Sequence, residues 1–257
     1  MTNDQQHSWN NIVRNGVLPS VKDLQDYENK VKKSTDAAYG FFGFYPVSTP
    51  EPTDWLNVHK IMFHQVSPDA GQIRKPQSMV MFGGKLGADS ARILPELELL
   101  REQTHLMLRE ARTQQEQMAV VAFTHARFEH IHPFNDGNGR SGRMIMDAQL
   151  NSFFGQKKRP DIDRDAYISS LAQAHRAGDL TPLTNLLCVR EGLAPLQEPI
   201  ISPFRIPPCF ENGTKYTLEE DLKRNEGFYQ KRAQEIGENP PRFQKRPTKE
   251  NKRGFKL

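Results

Sequence analysis

The feature that most constrains this chain is the run His132-Pro133-Phe134-Asn135-Asp136-Gly137-Asn138-Gly139-Arg140-Ser141-Gly142-Arg143, set between two helical patterns. Glycines on either side of Asn138 let consecutive N–H groups turn toward one anion, and a helix start adds partial positive charge. Arg140 and Arg143 stand on one edge of the first helical turn, where two guanidinium forks suit a polyphosphate. Asp136 precedes the glycines, and a carboxylate beside bound phosphates is a usual holder of Mg²⁺. His132 is the one base in the run whose ordinary pKa, roughly 6.5, lies near neutrality. Phe134 alternates with polar neighbours and is expected to anchor in a core, with Pro133 stiffening the turn. Together these parts describe phosphoryl or nucleotidyl transfer, which works mainly by positioning and charge neutralisation. A Gly-x-x-x-x-Gly-Lys-Ser/Thr loop after a strand is absent, which excludes the P-loop solution.

The flanks read as a helical scaffold. Thr53 or Asp54 opens an amphipathic helix carrying Leu56, Val58, Ile61, Met62 and Val66, with His59 and His64 unassigned. Leu94–Arg112 repeats the pattern through Leu97, Leu99, Leu100, Leu106 and Leu108. Gln114–His130 is apolar nearly all round, which marks a central buried helix whose His125 and His130 read as structural. A helix from Gly139 or Arg140 extends to Phe154 and stops at Gly155. Its Arg143 and Asp147 lie one turn apart and can pair at the surface. Asp163–Ala177 and Thr181–Glu191 are two further helices. Between the first helix and Leu94, Ser78-Met79-Val80-Met81-Phe82 is strand-like and Gly83-Gly84 is a turn. Spacing alone leaves that hairpin as either a connection or an exposed edge for an extended peptide.

Residues 1–50 read as a peripheral segment. It holds a charged helix over Val21–Lys33 capped by Ser20 and an aromatic cluster, Tyr39-Gly40-Phe41-Phe42-Gly43-Phe44-Tyr45, that either packs it onto the core or grips a base or a peptide. After residue 200 the prolines, a charged helix over Leu218–Ile236 and a basic end from Arg242 suggest linker and tail. A hydrophobic content of 36% and a mean hydropathy of −0.71 agree with part of the chain lying outside a compact core. The net charge of +4 suits a nucleotide or acidic partner without demanding one, and leaves nucleic-acid binding by the tail open. No run is apolar for long enough to span a bilayer, so no membrane partner is expected. Met1–His7 lacks a secretory pattern, and Cys188 and Cys209 lack metal-ligand spacing. The expectation is a cytoplasmic protein with free thiols, with export as an effector still open.

The run 132–143 resembles the signature of the Fic family, His-x-Phe-x-Asp/Glu-Gly-Asn-Gly-Arg-x-x-Arg, at every fixed position. A looser similarity extends from about Trp55 to about Glu191, through Leu56-Asn57-Val58-His59 and Gly71-Gln72-Ile73-Arg74. The resemblance implies an all-α fold, a Fic-type helical domain with a small β-hairpin flap over residues 51–200, flanked by the segments 1–50 and 201–257. It implies AMP transfer from ATP with Mg²⁺ to a Ser, Thr or Tyr hydroxyl of a protein target. In that scheme His132 is the general base and Asp136 holds Mg²⁺. The amides of Gly137, Asn138 and Gly139 cradle phosphates, with the Asn138 side chain also in contact. Arg140 and Arg143 neutralise the β- and γ-phosphates, and the flap residues Ser78, Met79, Val80 and Met81 dock the target. Same-fold alternatives are another donor (UMP, phosphocholine) or AMP removal; a different class is a non-catalytic nucleic-acid or protein-binding module.

Two departures from family patterns bear on regulation. The kinase branch typified by Doc carries Lys where this chain has Gly139, which argues against γ-phosphate transfer. Many members are restrained by Ser/Thr-x-x-x-Glu-Gly/Asn. The glutamates here followed by Gly or Asn are Glu28, Glu191, Glu211, Glu226, Glu238 and Glu250. They are preceded four residues earlier by Leu24, Leu187, Pro207, Leu222, Gln234 and Arg246, none of them Ser or Thr. The resemblance then implies restraint by a separate small protein, or none.

Overall fold

From the N-terminus the chain forms α1 (Asn3–Asn15), α2 (Leu24–Phe42), α3 (Pro52–Phe63), a hairpin of β1 (Met81–Phe82) and β2 (Lys85–Leu86), α4 (Ile93–Glu110), α5 (Gln114–Ile131), α6 (Asn138–Phe154), α7 (Arg164–Ala177) and α8 (Thr181–Glu191). This computed structural model describes residues 3–42, 47–75, 81–82, 85–156 and 159–204. The flap residues Ser78, Met79 and Val80, Gly83-Gly84, Phe44-Tyr45, Cys209, the Leu218–Ile236 helix and the basic tail lie outside them. The architecture is all-α apart from the hairpin, whose strands are antiparallel with Met81 opposite Leu86 and Phe82 opposite Lys85.

The expected central helix is the axis of the fold. Every residue of α5 from Met118 to Ile131 is buried, because α4, α6, α7 and α8 surround it. Its start is fixed by a reciprocal cap: Thr113 Oγ1 accepts from the Glu116 amide at 3.1 Å, and the Glu116 carboxylate accepts from the Thr113 amide at 2.8 Å. Such a cap contributes about 1 kcal/mol. Trp55 of α3 lies flat on Phe128 of α5 with ring centroids 3.9 Å apart, which joins the first half of the chain to the axis. Across the other face Arg127, fully buried, pairs with Glu96 of α4 at 2.6 Å. After α8 the chain returns beside α7, with Asp179 bridged to Ile201, and buries Phe204 near Phe123. Packing therefore continues a few residues beyond position 200.

The N-terminal segment differs from the sequence expectation. α1 was not anticipated; its only apolar residues are Trp9, Ile12 and Val13, and Trp9 and Ile12 pack against the core. The second helix begins at Leu24 and is capped by Asp23, whose carboxylate accepts from the Asp26 amide at 2.8 Å; Ser20 is not the cap. It continues past Lys33 to Phe42, and Tyr27 and Val31 are buried in the common core. Within this helix Tyr39 reaches Asp147 of α6 at 2.9 Å. The expected Arg143–Asp147 pair does not form. Asp147 bonds Arg190 of α8 at 2.6 Å, a long-range partner that short-range spacing cannot reveal.

Candidate active site

α5 ends because His132 adopts φ 52° and ψ 61°, the only left-handed non-glycine backbone among the described residues. That conformation costs about 1–2 kcal/mol for an L-residue, so the surroundings must hold it. The turn carries the chain across to α6, whose N-terminus is set by Gly137 at φ 78°. A Cβ at Gly137 would also fall 2.3 Å from Phe63 Cζ, so position 137 requires glycine twice over. The first helical bond of α6 runs from the Ser141 amide to the Gly137 carbonyl. The helix thus starts at Asn138, earlier than expected, and the N–H groups of its first turn have no intrahelical acceptor. Together with the helix dipole they form an anion-binding end.

The imidazole of His132 is oriented from behind. Nδ1 lies 3.1 Å from the Glu129 carbonyl, which can only accept, so the ring proton sits on Nδ1 and the lone pair on Nε2. Burial lowers its pKa to about 4, against the opposing pull of the Glu129 carbonyl, so the ring is neutral at pH 7. The hairpin is tied to this same turn. The Arg74 amide donates to the Pro133 carbonyl at 2.9 Å and the Ala88 amide to the Ile131 carbonyl at 3.2 Å. Arg74 Nε donates to the His132 carbonyl at 2.8 Å, and its guanidinium also bonds the Ala88 carbonyl. A Cβ at Gly87 would lie 2.9 Å from His132 Cβ, so the second stem passes directly against the histidine.

Asp136 stands at the other end of the turn. Its Oδ2 accepts from Tyr27 Oη at 2.6 Å and from Arg140 Nη2 at 2.8 Å. Desolvation works to raise its pKa, but Arg140, the Tyr27 hydroxyl and the Gly137 amide hold it below the ordinary carboxylate value. Its main-chain carbonyl accepts from His59 Nε2 at 3.0 Å, while His59 Nδ1 accepts from the Gly71 amide at 2.8 Å. His59 is neutral because burial lowers its pKa to about 4, and its ring is stacked between Phe63 and Phe134, 4.6 and 3.8 Å away. Phe134 is fully buried, as its alternation implied. Asn138 departs from expectation. Its side chain accepts from the Phe134 amide and donates to the Phe134 carbonyl, both at 2.9 Å, so it braces the turn.

The two arginines diverge. Arg140 folds back over Phe63, 4.6 Å from the ring centroid, toward Asp136 and Tyr27. Arg143 is exposed, with its guanidinium 5.9 Å from the Tyr167 ring centroid and its Nη1 3.1 Å from where a Cβ on Gly139 would sit. Beneath it Glu129 is buried and its Oε1 has no hydrogen-bond partner. Burial raises the Glu129 pKa to about 7, partly countered by the Arg143 charge.

Tyr27, His59, Arg74 and Gly87 were missed as site residues. Each acts through a contact distant in sequence, and the only signal beforehand was the Gly71-to-Arg74 stretch and a histidine on an apolar face. Among the described residues no group of three or more His, Cys, Asp or Glu converges to cage a metal. One carboxylate at a helix start is instead a donor set that suits Mg²⁺ arriving with phosphates and water.

A left-handed histidine, a glycine-started helix presenting amides and arginines, and a hairpin stitched across the turn define a Fic-type fold. Residues 49–150 match the Fic/DOC family model. It is 27% identical over 179 residues to a protein adenylyltransferase of Caenorhabditis briggsae, covering 66% of this chain and 33% of that protein. A probable protein adenylyltransferase of Aquifex aeolicus is 32% identical over 102 residues, covering 39% of this chain and 30% of that one. The chain thus spans a third or less of the length of these curated relatives. Among solved structures, the BepC effector of Bartonella tribocorum with bound AMPPNP superposes with a TM-score of 0.54 at 20% identity, covering 70% of this chain and 92% of that one. The N-terminal Fic domain of a Bartonella quintana Bep effector with bound ADP gives 0.55 at 19% identity, covering 70% and 91%. These likenesses show the fold. No helix among the described residues is long and apolar enough to cross a membrane.

Proposed function

We propose that this chain transfers AMP from ATP to a hydroxyl side chain of a protein target. The observation that carries the reading is the setting of His132. Its Nε2 lone pair is fixed by the Nδ1–Glu129 bond at one edge of a turn whose other edge is the α6 anion-binding end. The first-turn amides, Arg140 and Arg143 bind and orient the triphosphate. Asp136 holds Mg²⁺, which supplies charge neutralisation on the phosphates. The target oxygen attacks the α-phosphorus, the bond to the bridging oxygen breaks, pyrophosphate leaves, and the hydroxyl proton passes to His132. Desolvation makes the imidazole a weak base, which suits accepting a proton late, as the new P–O bond forms. The hairpin stems bring an extended target segment alongside the histidine. Adenylyltransferase naming of the relatives supports this reading.

The test uses the full chain with a lysate. Label from α-labelled ATP is expected in protein, and label from γ-labelled ATP is not. His132→Ala should lower transfer by about 10²–10⁴-fold while leaving nucleotide affinity within about twofold. Transfer of the γ-label, or an active His132→Ala chain, would refute the assignment. With no Ser/Thr-x-x-x-Glu-Gly/Asn pattern in this sequence, the reading is restraint by a separate small protein or none, and the purified chain is expected to modify itself in Mg²⁺ and ATP.

A further inference from the structure

The family-matched segment begins at residue 49, yet one of the groups that hold Asp136 comes from outside it. Tyr27 lies on α2 and is 3% exposed. Its hydroxyl donates to Oδ2 at 2.6 Å, shorter than the Arg140 bond to the same oxygen at 2.8 Å. Its ring also forms a shelf beneath the Arg140 guanidinium, 5.8 Å from the centroid. These contacts are not equivalent once a triphosphate is bound. Arg140 carries the charge that phosphates attract, so on the proposed function it exchanges its carboxylate for phosphate oxygens. Asp136 then loses its charged partner when it must take up a metal.

We propose that Tyr27 is a positioning residue that keeps the Asp136 carboxylate oriented for the metal-bound nucleotide after Arg140 leaves it, making α2 part of the working site. A neutral donor suits this role. It fixes the carboxylate's rotation without opposing a cation, whereas a second arginine would repel one. A phenol ordinarily keeps its proton at neutral pH, so the hydroxyl serves as a donor there. Main-chain support is independent: His59 holds the Asp136 carbonyl, so loss of the Tyr27 hydroxyl frees the side chain while the turn stays in place. Partners that hold a metal-binding carboxylate typically change metal affinity by about 10–100-fold when removed.

This inference rests on the nucleotidyl-transfer reading, and the experiment separates the two. Affinity for a non-hydrolysable ATP analogue is measured in Mg²⁺ and in EDTA for wild type, Tyr27→Phe, Asp136→Asn and the double variant, with thermal unfolding of each. Tyr27→Phe keeps the ring and the shelf. It should weaken binding about tenfold in Mg²⁺ and less than twofold in EDTA. The double variant should bind no worse than Asp136→Asn alone, since both remove one function. Equal losses in Mg²⁺ and EDTA, additive losses in the double variant, or unchanged binding by Tyr27→Phe would overturn the assignment. A wild type that binds no analogue in Mg²⁺ would overturn the nucleotide reading itself.

Discussion

Arg140 and Arg143 leave the same helical turn and meet opposite surroundings. Arg140 is already engaged, on a carboxylate and across two aromatic rings. Arg143 makes no ion pair among the described residues; its neighbours are the ring and hydroxyl of Tyr167 and the Glu129 carboxyl, whose pKa burial raises to about 7. One guanidinium must give up a partner before it can take another, while the other stands ready. The lesson is that equal spacing along a helix does not make two charges equivalent; the elements packed on either side decide. On one side those elements are α2 and α3, on the other α7.

The severest way to break the comparison is to remove the turn both arginines share. Gly137→Ala places a methyl into Phe63 and strains a left-handed backbone, so urea unfolding should show a loss of about 3 kcal/mol or more. A near-neutral result would mean that the turn relaxes easily and that neither arginine is fixed by it. Next, Arg143→Ala should weaken ATP-analogue binding by about 10–100-fold, the worth of a charge-assisted bond of about 1.5–3 kcal/mol. Arg140→Ala should cost only several-fold, because it also releases Asp136. Titration of both variants would dissolve the distinction if the losses matched.

Acidity sharpens the contrast on the Arg143 side. Glu129 is shifted from 4.5 to about 7, so the folded chain holds an extra proton between those values. Its stabilising contribution is complete below the unfolded value and is lost as pH rises through about 7. His59 and His132, lowered to about 4, and His125, lowered to about 3, act oppositely and erode stability as pH falls below 6.5. Thermal unfolding should therefore peak between pH 6.5 and 7. Glu129→Gln should make stability rise more steeply between pH 4.5 and 6.5 and should remove the small decline, under about 1 kcal/mol, expected between pH 6.5 and about 7. An unchanged decline would assign it to other groups. The smallest effect is expected from Tyr167→Phe, which keeps the ring beside Arg143 and loses its hydroxyl bond to His125 at 2.6 Å. Stability should fall by about 1 kcal/mol with nucleotide affinity unchanged.

Much of this was legible in the sequence where local rules suffice. α5 is legible as an almost wholly apolar run, α6 by its apolar face and by Gly155 at its end, and α8 as a further helical stretch. The residues gathered at the turn follow from their types alone. What escaped depends on distant contacts. Asn138 carries an amide that serves a phosphate or a backbone equally well, and only the closeness of Phe134 decides. Asp147 had a neighbour one turn away and chose Arg190. Tyr27 sits in a segment whose charges concealed its buried face.

The anchoring of the hairpin has a consequence for how such a protein can change. Its stems hold the histidine turn through main-chain groups, the Arg74 side chain and the bare Cα of Gly87. All of these contacts come from the two stems, residues 73–75 and 87–88. A substitution that spares the stems leaves these particular contacts in place. New binding preferences can then arise by substitution without relearning the chemistry.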